Sequence, residues 1–331
     1  MIPPDLMTIP SQPREWRIGL VGYGEVGRIL AEDLVIADAA VSACDIKLGT
    51  PEEAPLRAHA DAWGVVLVTS HAELAAGSDC IISAVTADQA VPVANACAPG
   101  IQPGAFFLDV NSASPGAKTC AAGHIDGAGG RYVEGAIMTS VPPYRSRVPL
   151  LLGGPSAAAL LPALQSLGFQ PSIASATLGV AAATKLCRSV MIKGLEAMVV
   201  EAFTAARAHG VEDAVLASLA ETFPGIDWEK RGAYFFQRVV EHGRRRAEEM
   251  REAAATVGEA GLEPVSAAGA ADRLAWMADL AAAGVFGERD TEAFARQSDW
   301  RTEADRILAH LRTAGSANRG GGAGGNGAHA P

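Results

Sequence analysis

Six consecutive residues restrict this chain more than any others: Gly22-Tyr23-Gly24-Glu25-Val26-Gly27. They follow a short apolar run at residues 16–21 (WRIGLV) and open residues 27–37 (GRILAEDLVIA), whose apolar positions recur at helical spacing. A glycine triplet so spaced between strand and helix has a physical purpose. The first glycine permits the tight turn, the second lets backbone approach a pyrophosphate, and the third lets helix and strand touch closely. The helix start adds unpaired N–H groups and a positive dipole end. All six residues, Gly22, Tyr23, Gly24, Glu25, Val26 and Gly27, are therefore expected against a dinucleotide. Asp45 ends the next strand (AAVSACDI, 39–46), where a carboxylate reaches both ribose hydroxyls and repels a 2′-phosphate. That favours NAD over NADP, a preference softened by the nearby cation of Lys47. The plainer reading of Asp45 is a turn cap.

The strand-helix alternation continues through 79–85 (DCIISAV), 104–110 (GAFFLDV), 131–137, 147–154 and 171–177. Such alternation predicts an α/β, Rossmann-type doubly wound parallel sheet with helices on both faces. Ligands bind outside the carboxyl ends of such strands. The loops Val85-Thr86 and Asn111-Ser112 then line the same crevice, and Ser114-Pro115 supplies an N-cap and first residue for a helix. From Leu178 the pattern is helical throughout; residues 181–209 form the longest run, with Gly210 as its stop. The expected division is an arm at 1–15, a dinucleotide-binding domain at 16–177, an all-α substrate and dimerisation domain at 178–313, and a disordered Gly/Ala-rich tail at 314–331.

Composition narrows the function classes. A formal net charge of −10 argues against a nucleic-acid surface. No apolar stretch has a membrane helix's length, and the N-terminus lacks a signal peptide's charged start and apolar run. Five cysteines without a C-x-x-C pair read as reduced thiols of a cytoplasmic protein, with no metal site. Aromatics are only 5%, so the core is expected to be built mostly from small side chains.

The glycine fingerprint, the loop Asp109-Val110-Asn111-Ser112-Ala113-Ser114-Pro115 and a lysine opening a long helix together resemble the β-hydroxyacid dehydrogenase superfamily over about residues 16–312. That group includes 3-hydroxyisobutyrate and 6-phosphogluconate dehydrogenases. Arg238-x-x-x-His242-Gly-Arg-Arg-Arg-x-x-Glu-Met250 is similar to a subgroup whose C-terminal domain has largely lacked an assigned function. The resemblance implies an NAD(P)-dependent dehydrogenase acting on a small hydroxy acid or related alcohol, with Lys185 as general acid/base. The superfamily's catalytic helix carries G-x-x-x-K-x-x-x-N; here the glycine is displaced to Gly179 and Ser189 stands where Asn is usual. Lys185 and Ser189 share one helical face, and Ser189 with Asn111 is expected to orient the substrate hydroxyl. Apolar neighbours should desolvate Lys185 and make it a better base; the plainer reading sends it to solvent.

The family's D-x-P-V-S-G-G loop corresponds to Glu134-Gly-Ala-Ile-Met138-Thr139-Ser140. Its two glycines are replaced by hydroxyl residues. Carboxylate recognition is accordingly expected from Ser112, Thr139, Ser140 and an arginine of the bulky stretch through Arg145 and Arg147. His242 with Arg244–Arg246, Arg245 among them, reads either as an anion clamp or as a solvated face paired with Glu248, Glu249 and Glu252. Two other readings stay open: an imine reductase, weighed against by the retained Lys185, and a non-catalytic NAD(P)-binding redox sensor. Small and apolar residues on several faces of the long helix, Ala181, Met191, Leu195 and Val199 among them, together with the resemblance, imply a homodimer with interlocked helical domains.

Overall fold

A computed structural model describes residues 10–288 and 299–320. Eight strands form one sheet: β1 (Arg17–Val21), β2 (Ala40–Cys44), β3 (Val66–Leu67), β4 (Cys80–Ser83), β5 (Phe106–Asp109), β6 (Arg131–Ile137), β7 (Pro149–Gly153) and β8 (Gln170–Ser175). Their order is β3-β2-β1-β4-β5-β6-β7-β8, which contains the doubly wound order with its reversal between β1 and β4. Interleaved are α1 (Glu25–Ile36), α2 (Ala54–Trp63), α3 (His71–Ala76), α4 (Ala90–Cys97), α5 (Pro115–Gly127), α6 (Val141–Tyr144) and α7 (Ala157–Ser166). Then follow α8 (Val180–His209), α9 (Glu212–Thr222), α10 (Trp228–Glu259), α11 (Val265–Ala282) and α12 (Trp300–Gly320).

Alternation along each strand explains why helices cover both faces. Ile18 and Leu20 of β1, with Phe106 and Leu108 of β5, meet Leu30 and Leu34 of α1 and Leu160 and Leu164 of α7. Val21, Ile81 and Phe107 turn the other way, onto Leu74 of α3, Val93 of α4 and Ile125 of α5. The parallel expectation needs one correction, because β6 and β7 pair antiparallel. Their connection contains the four-residue α6 and a three-residue 3-10 turn, too short for the crossover a parallel neighbour requires. β3 is only two residues long, too short for alternation to reveal it.

Contacts divide the chain into two compact units, residues 10–188 with Glu252–Glu263, and Ser189–Arg251 with residues 264–288 and 299–320. The division falls inside α8. In the second unit the core is aromatic at its centre: Phe203 and Trp300 have ring centroids 4.8 Å apart, and Phe236 lies 5.9 Å from Trp300. α8 stops where the sequence signals it, at Gly210 with φ +68. α12 runs to Gly320, past the point where Gly/Ala-rich composition suggested a disordered tail; residues 321–331 lie outside the described set, as do residues 1–9 of the expected arm. Among the described residues no helix is long and apolar enough to cross a membrane.

Candidate functional site

Cys44, Val21, Ser83, Asp109 and Glu134 lie side by side in one row of the sheet. The loops leaving that row carry most of the residues singled out from sequence. Gly22 turns away with φ +88, and a Cβ there would sit 2.4 Å from the Ala84 carbonyl oxygen. A Cβ on Gly27 would sit 2.0 Å from the Gly22 carbonyl oxygen, so strand and helix touch here. At Gly24, the N-cap of α1, a Cβ would meet nothing within 4 Å. The fold itself thus explains the outer two glycines, whereas the middle one opens a cradle at the helix start. Its form fits a pyrophosphate.

Asp45 faces this cradle, accepting the Tyr23 N–H at 2.7 Å and the Lys47 N–H at 2.9 Å. Both readings of Asp45 therefore have a physical basis: it caps a turn, and the turn it caps belongs to the glycine loop. Glu25 and Val26 form the first turn of α1. Tyr23 is fully buried, its hydroxyl 2.8 Å from Nδ1 of His59, so it offers a ligand only its backbone. Burial pushes its phenol up to about 12.

Asn111 ties two loops together. Its Oδ1 accepts the Val85 N–H at 2.6 Å, and its Nδ2 donates to the Ser83 hydroxyl at 2.9 Å. Below it lies a buried ion pair, Asp109 with Lys118 at 2.8 Å, joined by the Tyr132 hydroxyl donating to Asp109 at 2.7 Å. Desolvation, with Asp109 beside it, holds the Tyr132 phenol well above its ordinary value. Asp109 also accepts the Asn111 N–H at 2.9 Å, which fixes the turn. Asn111 is thus a buried brace, in keeping with the turn-chemistry reading that the sequence also allows for this loop. Val85 is half-buried and Thr86 exposed beside it.

The start of α8 is set by a residue the sequence reading did not single out. Glu134 is fully buried in β6 and accepts the N–H groups of Gly179 and Ala181, each at 2.7 Å. These are among the groups a helix start leaves unsatisfied. Gly153 makes room, since a Cβ there would lie 2.2 Å from Glu134 Oε1. In sequence the trace is a glutamate inside an apolar strand; its pairing with Gly153 and its reach to α8 emerge only in the fold. From the helix so anchored, Lys185 donates through Nζ to the Ser112 hydroxyl at 2.7 Å. Lysine, hydroxyl and Asn111 come together at the carboxyl end of β5.

The remaining predicted residues are placed as follows. Thr139 and Ser140 are exposed in the loop after β6. Arg145, one of the two arginines expected to face substrate, is engaged elsewhere. Its Nε donates to Asp33 and its Nη2 to Glu32, both at 2.7 Å, so its charge is taken up by α1. For Asp33, burial is outweighed by the Ser146 N–H and this guanidinium, and the carboxyl lies below its ordinary range. Glu32 is lowered too, first by His59 and then by Arg145.

Ser189 lies in the second unit, accepting Lys193 at 3.0 Å, and Lys193 pairs with Glu249 at 2.9 Å. His242 sits at a break in α10 (φ −126, ψ 15), 3.5 Å from Glu241. Each following arginine has a carboxylate: Arg244 with Asp279, Arg245 with Glu249, and buried Arg246 with Glu196. Of the glutamates expected to pair with this run, Glu249 does so, while Glu252 bonds the Ser114 N–H in the first unit. Among the described residues no cluster of His, Cys, Asp or Glu is placed to hold a metal ion.

Comparison with known proteins adds to this geometry. A family model of the NAD binding domain of 6-phosphogluconate dehydrogenase matches residues 17–168, and a domain of unknown function, DUF1932, matches residues 206–277. The solved structure of a conserved hypothetical protein from Sinorhizobium meliloti 1021 is 34% identical, covering 89% of this chain and 97% of that one, with a TM-score of 0.70. Conserved protein MTH1747, of unknown function and structurally similar to 3-hydroxyacid dehydrogenases, is 26% identical over 80% of this chain and 99% of its own, with a TM-score of 0.62. Mycobacterium tuberculosis 3-hydroxyisobutyrate dehydrogenase, solved with L-serine, shares the fold at 17% identity, with coverage of 88% and 99% and a TM-score of 0.65.

Proposed function

The chain belongs to the β-hydroxyacid dehydrogenase superfamily, in the subgroup that carries the DUF1932 domain, and from that premise we propose that it is an NAD(P)-dependent dehydrogenase of a small hydroxy acid or related alcohol. The observation that carries the reading is the 2.7 Å contact between Lys185 Nζ and the Ser112 hydroxyl, in the loop after β5 that Asn111 ties to the β4 loop beside the Gly22 turn. Gly22, Gly24 and Gly27 with the start of α1 would hold the pyrophosphate, and Asp45 the ribose, which favours NAD. Val85, Thr86 and the Asn111 loop would border the nicotinamide end. When bound, the dinucleotide supplies the hydride acceptor.

The chain's own residues handle the proton. Lys185, neutral when it acts, accepts the substrate hydroxyl proton; in the reverse direction its ammonium returns it to the developing alkoxide. Ser112 holds the Lys185 amine in place and offers a hydroxyl to the substrate, as Thr139 and Ser140 do from the next loop. Asn111 acts by bracing, keeping the β4 and β5 loops in register. Rate then depends on alignment, where misplacement by about 1 Å costs ~10²-fold.

The test is a panel of hydroxy acids with NAD or NADP, followed by the absorbance of reduced cofactor. Lys185→Ala is expected to lower kcat by about 10²–10⁴-fold while dinucleotide affinity stays within about 2-fold. Undiminished turnover by that variant rejects Lys185 as the base. Tight dinucleotide binding with no turnover on any panel member would point instead to a redox sensor.

A further inference from the structure

The segment Glu252–Glu263 lies within the stretch matched by the domain of unknown function, yet its contacts place it in the first unit. There it meets the start of α5, three residues after Ser112. A helix start leaves its first N–H groups without helical partners. In α5, Pro115 has no N–H, and the Ser114 hydroxyl takes that of Ala117 at 3.3 Å. The Ser114 and Gly116 N–H groups remain. Glu252 accepts the first at 2.7 Å, and Glu259 accepts the second through both oxygens at 3.1 and 3.0 Å. Glu252 and Glu259 stand about two turns apart on α10, so one face delivers both carboxylates. A Cβ on Gly116 would sit 2.6 Å from Glu259 Oε1, so only glycine admits this approach without displacement.

We infer that this segment is a clamp on the loop carrying Asn111 and Ser112, with Glu252 and Glu259 as positioning residues. The inference rests on the dehydrogenase reading for its catalytic consequence, though not for the clamp itself. Asp109 holds the loop from its strand side through the Asn111 N–H, and the two glutamates hold its other end against the positive pole of α5. Ser112 sits between these anchors. Slack at the α5 end would let the hydroxyl and its Lys185 partner drift from the reacting carbon, which lowers turnover more than binding. On this account part of the uncharacterised domain completes the first unit's site.

The experiment uses the full chain and three variants, Glu252→Ala, Glu252→Gln and Glu259→Ala. Amide exchange reports on Ser114 and Gly116 directly, and titration with NADH by fluorescence reports dinucleotide affinity without turnover. Each alanine variant should speed exchange at its own partner amide by about 10-fold or more. Each should cut kcat by about 10-fold or more with NADH affinity within about 2-fold. Glu252→Gln keeps an acceptor oxygen and should restore most of both, which separates positioning from loss of the fold. Unchanged exchange in folded variants overturns the clamp. Faster exchange with kcat intact overturns its role in positioning. If the wild-type chain turns over no panel member, the dehydrogenase reading falls, and exchange alone decides the clamp.

Discussion

A methyl group at Gly27 would lie 2.0 Å from the Gly22 carbonyl oxygen, while one at Gly24 would meet nothing within 4 Å. The two glycines should therefore fail differently. Gly27→Ala forces helix from strand and should cost about 2 kcal/mol or more of stability, read as a lower melting temperature. Gly24→Ala should melt like wild type yet bind NADH at least about 10-fold more weakly. Loss of stability in both, or of binding in neither, would remove the cradle. This part of the site was legible because fixed spacing encodes it. Arg145 was not, since its partners Glu32 and Asp33 are distant in sequence and only the fold brings them near. Its φ of +58 is unusual for a non-glycine residue, and the ion pairs hold it there. Because both partner carboxyls sit below their ordinary range, their stabilising contribution is present above about pH 4 and lost as pH falls through the lowered folded values. Arg145→Met should lower the melting temperature at pH 7, and the gap should narrow steadily on acidification below about pH 4. A constant gap would mean that packing, not charge, holds the residue.

Among elements, α8 depends most on its start. Helical period alone gave its length and its stop at Gly210, because a helix face repeats locally. What fixes its direction was hidden. Glu134 reaches it from a strand whose neighbour had to lose its side chain at Gly153, a relation across three elements that no local pattern records. The reversal between β6 and β7 was likewise invisible to periodicity, which cannot tell an up strand from a down strand. Glu134→Ala would strand two buried N–H groups that now bond a carboxylate. It should cost about 3 kcal/mol, measured by denaturant melts, and lower kcat as well, since Lys185 rides on the same helix. A melt shifted by less than about 1 kcal/mol would show that the helix start is anchored some other way.

For the whole molecule, the second unit leaves apolar surface on α8 uncovered. Met191 is 73% and Met198 62% exposed, with half-buried Leu195 between them at i, i+4 and i+7. Ile192, 43% exposed, widens the stripe. Scattered apolar residues need no explanation, but a contiguous stripe along one helix face does. We propose that a second copy of the chain covers it, in line with the several apolar faces this helix has in sequence. The alternative, a stripe simply left in water, predicts a monomer whose solubility suffers. Light scattering should give twice the chain mass at micromolar concentration. Paired Met191→Glu and Met198→Glu should shift it to one chain with helix content preserved, because neither side chain contributes to the unit's own core. Wild-type monomers under these conditions, or dimers unmoved by both charges, would place the contact elsewhere or abolish it.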